Sequence, residues 1–543
     1  MKLKKIISGI LVVALAFSIT GDVCAATIDN VKVEKEVKNV ILLIPDGMST
    51  GGLTLARWYN GGEELNLDSM ASGLVRTYSA DAPIADSAPA GTAMATGFKS
   101  HTGFVGVLPD ENTMPGLNPI RSSDKRKPVA SILEAAKLNG KATGIIATSE
   151  IMHATPADFT AHDPSRKNYD SISEQQVYQN LDVVIGGGEK FFTSELRGDK
   201  EDLLSVIKKE YRYASTPVEF HDVTSGKLWA MFAPSALSYD FDRNPSKEPS
   251  LGEMTKKAID LLSKDQDGFF LMVEGSKIDW AAHANDPIGM ISDILAFDKA
   301  VGVALDFAKN DGNTLVISAT DHGNSGITIG ASSTDNTYDT TPLSSFIDPL
   351  KKATLTGEGI GSKLNKERSN VEAVMKNYFG ITDLSKAEIK AIKNTADASM
   401  NYTVGPIIAK RANIGFTTKG HTGEDVTLYV YAPESIDQLT GTVENADIAL
   451  YMAKAMGLNL NETTKKLFVK AEDAYVAKGA AVKLDTADET NPVLIVNKGA
   501  VEVKMPVNKN IAYVNGEKTL LDGVVVYNGI NTYVPQSAVD LVK

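Results

Sequence analysis

Cysteine is all but missing from this 543-residue sequence, and the single one, Cys24, lies near the N-terminus. Its surroundings decide what that scarcity means. "MKLKKIISGILVVALAFSITGDVCA" places Lys2, Lys4 and Lys5 ahead of an apolar run from Ile6 to about Ile19, with Val23 and Ala25 at a cleavage position. That is the layout of a secretory signal peptide over residues 1–25. The run is short for a membrane span, and "GDVC" lacks the apolar-then-small lead-in of a lipid-modified cysteine. Cleavage after Ala25 leaves an exported chain without a thiol, which excludes disulfides and thiolate metal sites. Any metal must then be held by His, Asp, Glu and hydroxyls, a donor set suited to zinc on N/O ligands or to magnesium.

Positive charge is also in deficit. The chain carries 55 basic against 68 acidic residues, a net of −13. Such a balance repels a phosphate backbone, so nucleic acid is not expected as a specific partner. A small anionic substrate stays compatible if bound cations invert the field locally. Internal repeats are absent as well, which argues against a solenoid or propeller.

What is present is a series of strand-length apolar runs, each ending on polar or glycine residues. "NVILLIPDG" runs into Asp46, "ATGIIATSE" into Thr148, Ser149 and Glu150, and "LDVVIGGG" into glycines. "GFFLMVEG" ends at Glu274, "NTLVISATDHG" at Asp321 and His322, and "DVTLYVYAP" comes last. Near-continuous apolar runs suit parallel strands buried on both faces. Helical stretches such as "VASILEAAKLNG" and "MISDILAFDKAVGVALDFAKN" lie between them. The expected fold is therefore α/β, a three-layer sandwich around a mostly parallel central sheet. Ligands in such sheets bind beyond the carboxyl ends of the strands, where these polar residues gather. The main domain is read over 26–484, with two inserts, about 190–255 and 330–415, as decoration around the site. Near 484 the composition changes. "DTADETNP" reads as an acidic linker, and the Val-, Asn- and Gly-rich remainder, with the Asn515-Gly516 turn, reads as a small β-rich module over 485–543. Such a module is small for an independent core and is expected to lean on its neighbour.

Three histidines keep chemically pointed company. "SKIDWAAHAND" sets Asp279 and His283 at i, i+4, on one helix face and within reach of one cation; a plain surface pair is the alternative. "SATDHGN" sets Asp321 beside His322 at a strand end, and "KGHTGEDV" puts His421 in a glycine-flanked loop. Asp46 at the first strand end can bridge two ions, while Glu274 and Thr155 suit a harder, oxygen-seeking ion. Arg166 in "AHDPSRKN" can fork onto phosphate oxygens. In "PIADSAPAGTAMATG", Ser87 reads either as a helix N-cap, with Pro89 in the first turn and Gly97 as terminator, or as a nucleophile.

Six motifs, "PDGM", "ADSAPAGTAMATG", "HATPADFTAHDPSR", "VEGSKIDWAAHAND", "ATDHGNSG" and "GHTGEDV", stand in the order and approximate spacing of the alkaline phosphatase family, which the chain resembles over roughly 37–460. The resemblance implies a secreted or cell-envelope phosphomonoesterase acting on small phosphate monoesters through a phosphoserine on Ser87, with a homodimer as the assembly common in the family. It implies a first zinc on Asp279, His283 and His421, and a second on Asp46, Asp321 and His322. Magnesium is implied on Asp46, Thr155 and Glu274, and Arg166 is implied as the phosphate clamp, oriented by Asp86. Enterobacterial members carry Asp and Lys where this chain has His153 and Trp280. His153 is thus expected near the third ion, as a ligand directly or through water, and Trp280 beside the substrate; the identity of that ion is the least determined. The C-terminal stretch "VNGEKTLLDGVVVYNGINTYVP" resembles the N-terminal domain of copper amine oxidases. It holds no His or Cys, so no copper is expected there, and attachment to the cell envelope is the role it suggests. Sulfatases on the same scaffold want Ser or Cys followed by x-Pro-x-Arg, and "SAPAG" has Gly91 in place of that Arg. A phosphodiesterase side activity stays open, and a non-catalytic envelope protein would call for broken ligand sets, of which none is seen.

Overall fold

The computed structural model describes residues 28–543, so the signal peptide read over 1–25 lies outside the described residues. The frame is a ten-stranded sheet. Its strands are β1 (Asn39–Ile44), β2 (Ala71–Arg76), β3 (Ala142–Glu150), β4 (Val183–Gly187), β5 (Arg212–Ala214), β6 (Leu228–Met231), β7 (Phe269–Glu274), β8 (Thr314–Ala319), β9 (Val426–Tyr431) and β10 (Gly441–Glu444). Across the sheet they run β10-β2-β9-β8-β1-β7-β3-β4-β6-β5. All pairings are parallel except the two made by β9.

Side-chain alternation along β1 explains the layering. Ile41 and Leu43 enter one core, while Val40, Leu42 and Ile44 enter the other. A strand that must be apolar on both sides reads as a continuous run, as β1, β7 and β8 do. The helices Thr50–Tyr59, Leu251–Leu262 and Pro287–Asp311 cover the first face. Ser87–Thr96, Ile132–Leu138, Tyr169–Tyr178 and Asn445–Ala455 cover the second. The chain is thus the three-layer α/β sandwich the runs predict.

The stretch 190–255 is not decoration. It contributes β5 and β6 to the sheet, with Trp229 fully buried on β6, because "LWAM" is itself a short buried strand that pairs in parallel with β4. The stretch 330–415 is helical and joins the first core through Ile347, Leu350, Val374, Met375, Ile392 and Ile408. Its last helix, Asn401–Arg411, reaches the site.

At the C-terminus, the strands Ala481–Asp485, Val493–Lys498, Val501–Pro506, Ile511–Val514 and Glu517–Leu520 form an antiparallel meander. Asn515 and Gly516 turn its last hairpin with positive φ at both residues, as a two-residue turn demands. Val469–Lys470 pairs with Thr532–Val534, and that strand with Val526–Tyr527. The strand Ala481–Asp485 spans the boundary expected at 484/485, and the acidic stretch read as a linker is the loop of a hairpin. We propose that the module begins by Val469, where its strand pairing starts. Among the described residues, no helix is long and apolar enough to cross a membrane.

Candidate active site

The sheet delivers its polar ends to one edge. Asp46 follows β1 by two residues, Glu274 ends β7, and Asp321 and His322 follow β8. In register, Ile44 lies opposite Glu274, and Glu274 opposite Ala147. Because β9 runs against its neighbours, its start lies at that same edge and brings in His421, five residues earlier. The helix Lys277–His283 departs from β7 and presents Asp279 and His283 on one face. Asp46, Glu274, Asp321 and His322 have no solvent exposure.

Two triads result, Asp279–His283–His421 and Asp46–Asp321–His322, each with ligand-type atoms within 4.8 Å of one another. In the first, Nε2 of His283 and Nε2 of His421 stand 3.1 Å apart. Each ring directs its Nδ1 at a backbone carbonyl, Lys419 O and Ala85 O, both at 2.7 Å. A carbonyl accepts only, so in each neutral imidazole Nδ1 carries the proton and Nε2 the lone pair. Two lone pairs facing each other, with the Asp279 carboxylate 3.3 and 3.6 Å away, are the donor set of a cation. In the second triad, His322 Nε2 lies 3.1 Å from Asp321 and 3.6 Å from Asp46. Its ring stacks on His421 at 3.6 Å, which joins the two triads into one centre.

The expected third site passes the same test. Both carboxylate oxygens of Asp46 and of Glu274, and Thr155 Oγ1, are buried without a hydrogen-bond partner among the described residues. Burial, then the charges of Asp321, Asp279 and Glu274, pushes Asp46 far above the ordinary carboxylate range. Burial lifts Glu274 to about 8. Unpartnered buried oxygens on this scale are costly unless positive charge neutralises them, so the residues fit hard cations held on oxygen.

Ser87 opens the helix Ser87–Thr96, and its Oγ lies 3.2 Å from His322 Nε2. It is not the N-cap: Asp86 holds that position, and Gly97 ends the helix in the left-handed conformation. The plainness of this segment is a packing requirement. All ten residues are buried, and a Cβ on Gly91 would come within 2.2 Å of Asp158 Oδ2. Gly47 is equally constrained, with φ +67° and a Cβ position 2.5 Å from Asp279 Oδ1, so a side chain there would displace a ligand.

Arg166 lies across the cleft, with Nη1 donating to Asp86 and Nη2 3.1 Å from His153 Nε2. Each terminal nitrogen keeps a second N–H for an anion. Burial, then the Arg166 charge, pulls His153 down to about 4. The imidazole is therefore neutral, accepts from Arg166 at Nε2 and keeps its proton on Nδ1. With Nε2 on Arg166 the ring orients the guanidinium, while Nδ1 is buried without a hydrogen-bond partner among the described residues, and the role expected for His153 at the third ion, directly or through water, would fall to that nitrogen. Trp280 meets His153 edge-on at 5.8 Å and lines the cleft, an open space of about 660 Å³ that also exposes Asp86, Ser87 and Arg166. Loss of two charge-assisted hydrogen bonds predicts that Arg166→Ala weakens inhibition by inorganic phosphate by about 10- to 100-fold, measured as the inhibition constant.

Three residues at the site escaped the sequence reading. Asn324 donates to Asp279 Oδ1 at 2.6 Å, and Glu424 accepts from Ser49 and Thr422, fixing the loop after His421. Both lie inside motifs quoted above, where a polar side chain near a ligand was the available signal. Tyr402, 44% exposed at the cleft mouth, comes from the helical stretch 330–415 and carries no local signal. His162 is a core residue held by Gly106 O and Glu134.

The alkaline phosphatase family profile matches residues 37–458, and the copper amine oxidase N-terminal domain profile matches 456–541. The chain is 36% identical to alkaline phosphatase 3 of Bacillus subtilis over 452 residues, covering 80% of this chain and 92% of that protein. It is 30% identical to the repressible alkaline phosphatase of Saccharomyces cerevisiae, over 79% of this chain and 82% of that one. Among solved structures, the alkaline phosphatase of Thermus thermophilus superposes with a TM-score of 0.69 at 26% identity, covering 80% of this chain and 94% of the other.

Proposed function

Since the chain belongs to the alkaline phosphatase family, we propose that it hydrolyses phosphate monoesters to an alcohol and inorganic phosphate by way of a phosphoserine on Ser87. The observation that carries this reading is the placement of Ser87 Oγ 3.2 Å from His322, within the joined triads and opposite Arg166. Zinc on Asp279, His283 and His421, zinc on Asp46, Asp321 and His322, and magnesium on Asp46, Thr155 and Glu274 would neutralise phosphoryl charge and lower the pKa of the serine hydroxyl and of water.

The residues of the chain divide the remaining work. Arg166, held by Asp86 and His153, binds two phosphoryl oxygens and sets the phosphorus opposite Ser87. Ser87 Oγ loses its proton and bonds to phosphorus as the bond from phosphorus to the alcohol oxygen breaks; the alcohol leaves with a proton. Water then bonds to phosphorus, the Oγ–P bond breaks, Ser87 regains its proton, and phosphate is released. The N-terminal end of the Ser87 helix adds a favourable dipole for the anion. Phosphoryl transfer asks for little more than such positioning and charge stabilisation. Because the grip is on the phosphoryl group, a broad range of alcohols is expected. We also read the chain as exported, on its N-terminal 25 residues.

The test is acid-quenched turnover of p-nitrophenyl phosphate followed by mass spectrometry. The expected product is a phosphorylated peptide containing Ser87, with turnover lost to a chelator and restored by zinc plus magnesium. Phosphate release without a Ser87 adduct, or insensitivity to the chelator, would overturn the reading.

A further inference from the structure

The reaction above uses nothing beyond residue 421, yet the C-terminal module is bound into the catalytic domain close behind the arginine. Lys509 Nζ sits between two catalytic-domain carboxylates, 3.2 Å from Glu174 and paired with Glu201. Next to it, Asn508 Nδ2 donates to Glu174 at 2.9 Å, and its Oδ1 accepts from Ser171 Oγ at 3.3 Å and Gln175 Nε2 at 3.2 Å. A second patch is apolar: Val524, Val526 and Tyr533 pack with Ala130, Leu138 and Tyr178. A tether hung on the outside would have no need of a buried carboxylate paired across the contact. Glu174 is 3% exposed.

From these contacts a short chain of bonds leads to the clamp. Gln175, which Asn508 holds from behind, grips the backbone of His162 on both sides: Oε1 accepts from its N–H at 2.8 Å, and Nε2 donates to its carbonyl at 3.2 Å. The His162 ring stands edge-on at 4.5 Å to Phe468, which directly precedes the first strand of the module and lies within the 456–541 profile match. Asp163 follows, exchanging backbone bonds with Val105, while its carboxylate holds Ser165 N and Asn168 Nδ2 at 2.8 Å. Arg166 comes three residues later, with its N–H on Gly103 O at 2.8 Å. The loop 162–168 is thus fixed in front by residues 103–105 and from behind by the module. A displacement of about 1 Å in a positioning group can cost two orders of magnitude in an enzyme, so what stands behind that loop bears on phosphate binding.

We propose that the C-terminal module braces the loop carrying the phosphate clamp, which makes Asn508, Lys509 and Phe468 positioning residues for Arg166. The inference rests on the reading of Arg166 as the phosphate-binding group. Its test is made on the full-length, metal-loaded protein with inorganic phosphate as the probe. The pair Asn508→Ala with Lys509→Ala is expected to raise the phosphate inhibition constant and the KM for p-nitrophenyl phosphate about 3- to 10-fold, with kcat changed less than twofold, and Lys509→Arg is expected to recover most of the loss. In an Arg166→Ala background the same pair is expected to have no further effect on phosphate. A wild-type inhibition constant in the folded pair variant, or a loss that adds in full to that of Arg166→Ala, overturns the brace. Should the pair fail to fold, Asn508→Ala alone, at a half-buried position, carries the same test. Failure of the clamp reading looks different: Arg166→Ala by itself would leave phosphate inhibition unchanged, and the brace would fall with it.

Discussion

Ser87→Ala is expected to lower kcat for phosphate monoesters by about 10³-fold or more, about 4 kcal/mol of barrier, while metal content and phosphate inhibition stay near wild type. The structure separates chemistry from folding at this position unusually well. Asp86, not Ser87, occupies the N-cap position, so alanine takes a first-turn position at which it is a good helix former. The one hydrogen bond the side chain makes is to His322, whose other close contacts, to Asp321 and Asp46, do not involve the serine. Neither triad loses a ligand, and Arg166 keeps both of its partners. The variant should therefore melt within a few degrees of wild type, bind phosphate and fail to turn over. Monoester assays, metal analysis and phosphate inhibition measured on one preparation decide the matter. Unchanged turnover would remove Ser87 as the nucleophile, and loss of metal would recast it as part of the metal centre.

The sheet and most of the site were legible in the sequence for one physical reason. A parallel strand buried on both faces must be apolar throughout, and the residue at its carboxyl end is the first one free to be polar. "NVILLIPD", "FFLMVE" and "TLVISATDH" announce both strand and site in one run. The same logic failed where a strand is not doubly buried. β2 is half exposed along its length and β10 partly so, and neither shows the run. β6 does, but within an aromatic-dotted stretch that looked inserted. Tyr402 and the contact of the module with the Arg166 loop depend on packing between segments hundreds of residues apart, which no local pattern encodes. His153 shows a different limit. Its place beside Thr155 could be read, but the direction of its Nε2 is set by Arg166, thirteen residues along the chain, which no local pattern shows. The hairpin that crosses residue 484 hides behind an acidic loop because a turn and a linker share the same composition.

Removing the metals is expected to do more than abolish turnover: it should leave a protein whose thermal stability falls as pH rises from about 5 to 9. In the metal-free chain, burial, then the charge of Asp321, lifts Glu274 to about 8, and Asp46 is raised further by burial and its three carboxylate neighbours. An acid with a native pKa above its unfolded value, about 4.3 for Glu, holds a proton in the native state that the unfolded state has released. Across that window, rising pH therefore costs stability. His322 acts in the same direction. Burial opposes its cation, but Asp321, Asp279 and Asp86 outweigh the burial and raise it to about 9, so its stabilisation is full below about 6.5 and gone above 9. Asp279 and Asp321 set the acid side: despite burial, the neighbouring histidines hold both below the usual range, and their contribution is lost as pH falls below about 4. With metals bound the slope should reverse, because the ions require deprotonated ligands and bind more tightly as pH rises, stabilising the native state by mass action. The gap in Tm between loaded and stripped protein is thus expected to widen steadily from pH 5 to pH 9 in calorimetry. Asp46→Asn should narrow it sharply by removing from the stripped protein one buried acid whose raised pKa makes rising pH costly, and a shared ligand from the loaded one. Parallel Tm–pH curves for the two forms would mean that these carboxylates are not the ligands, whatever the chelator does to activity.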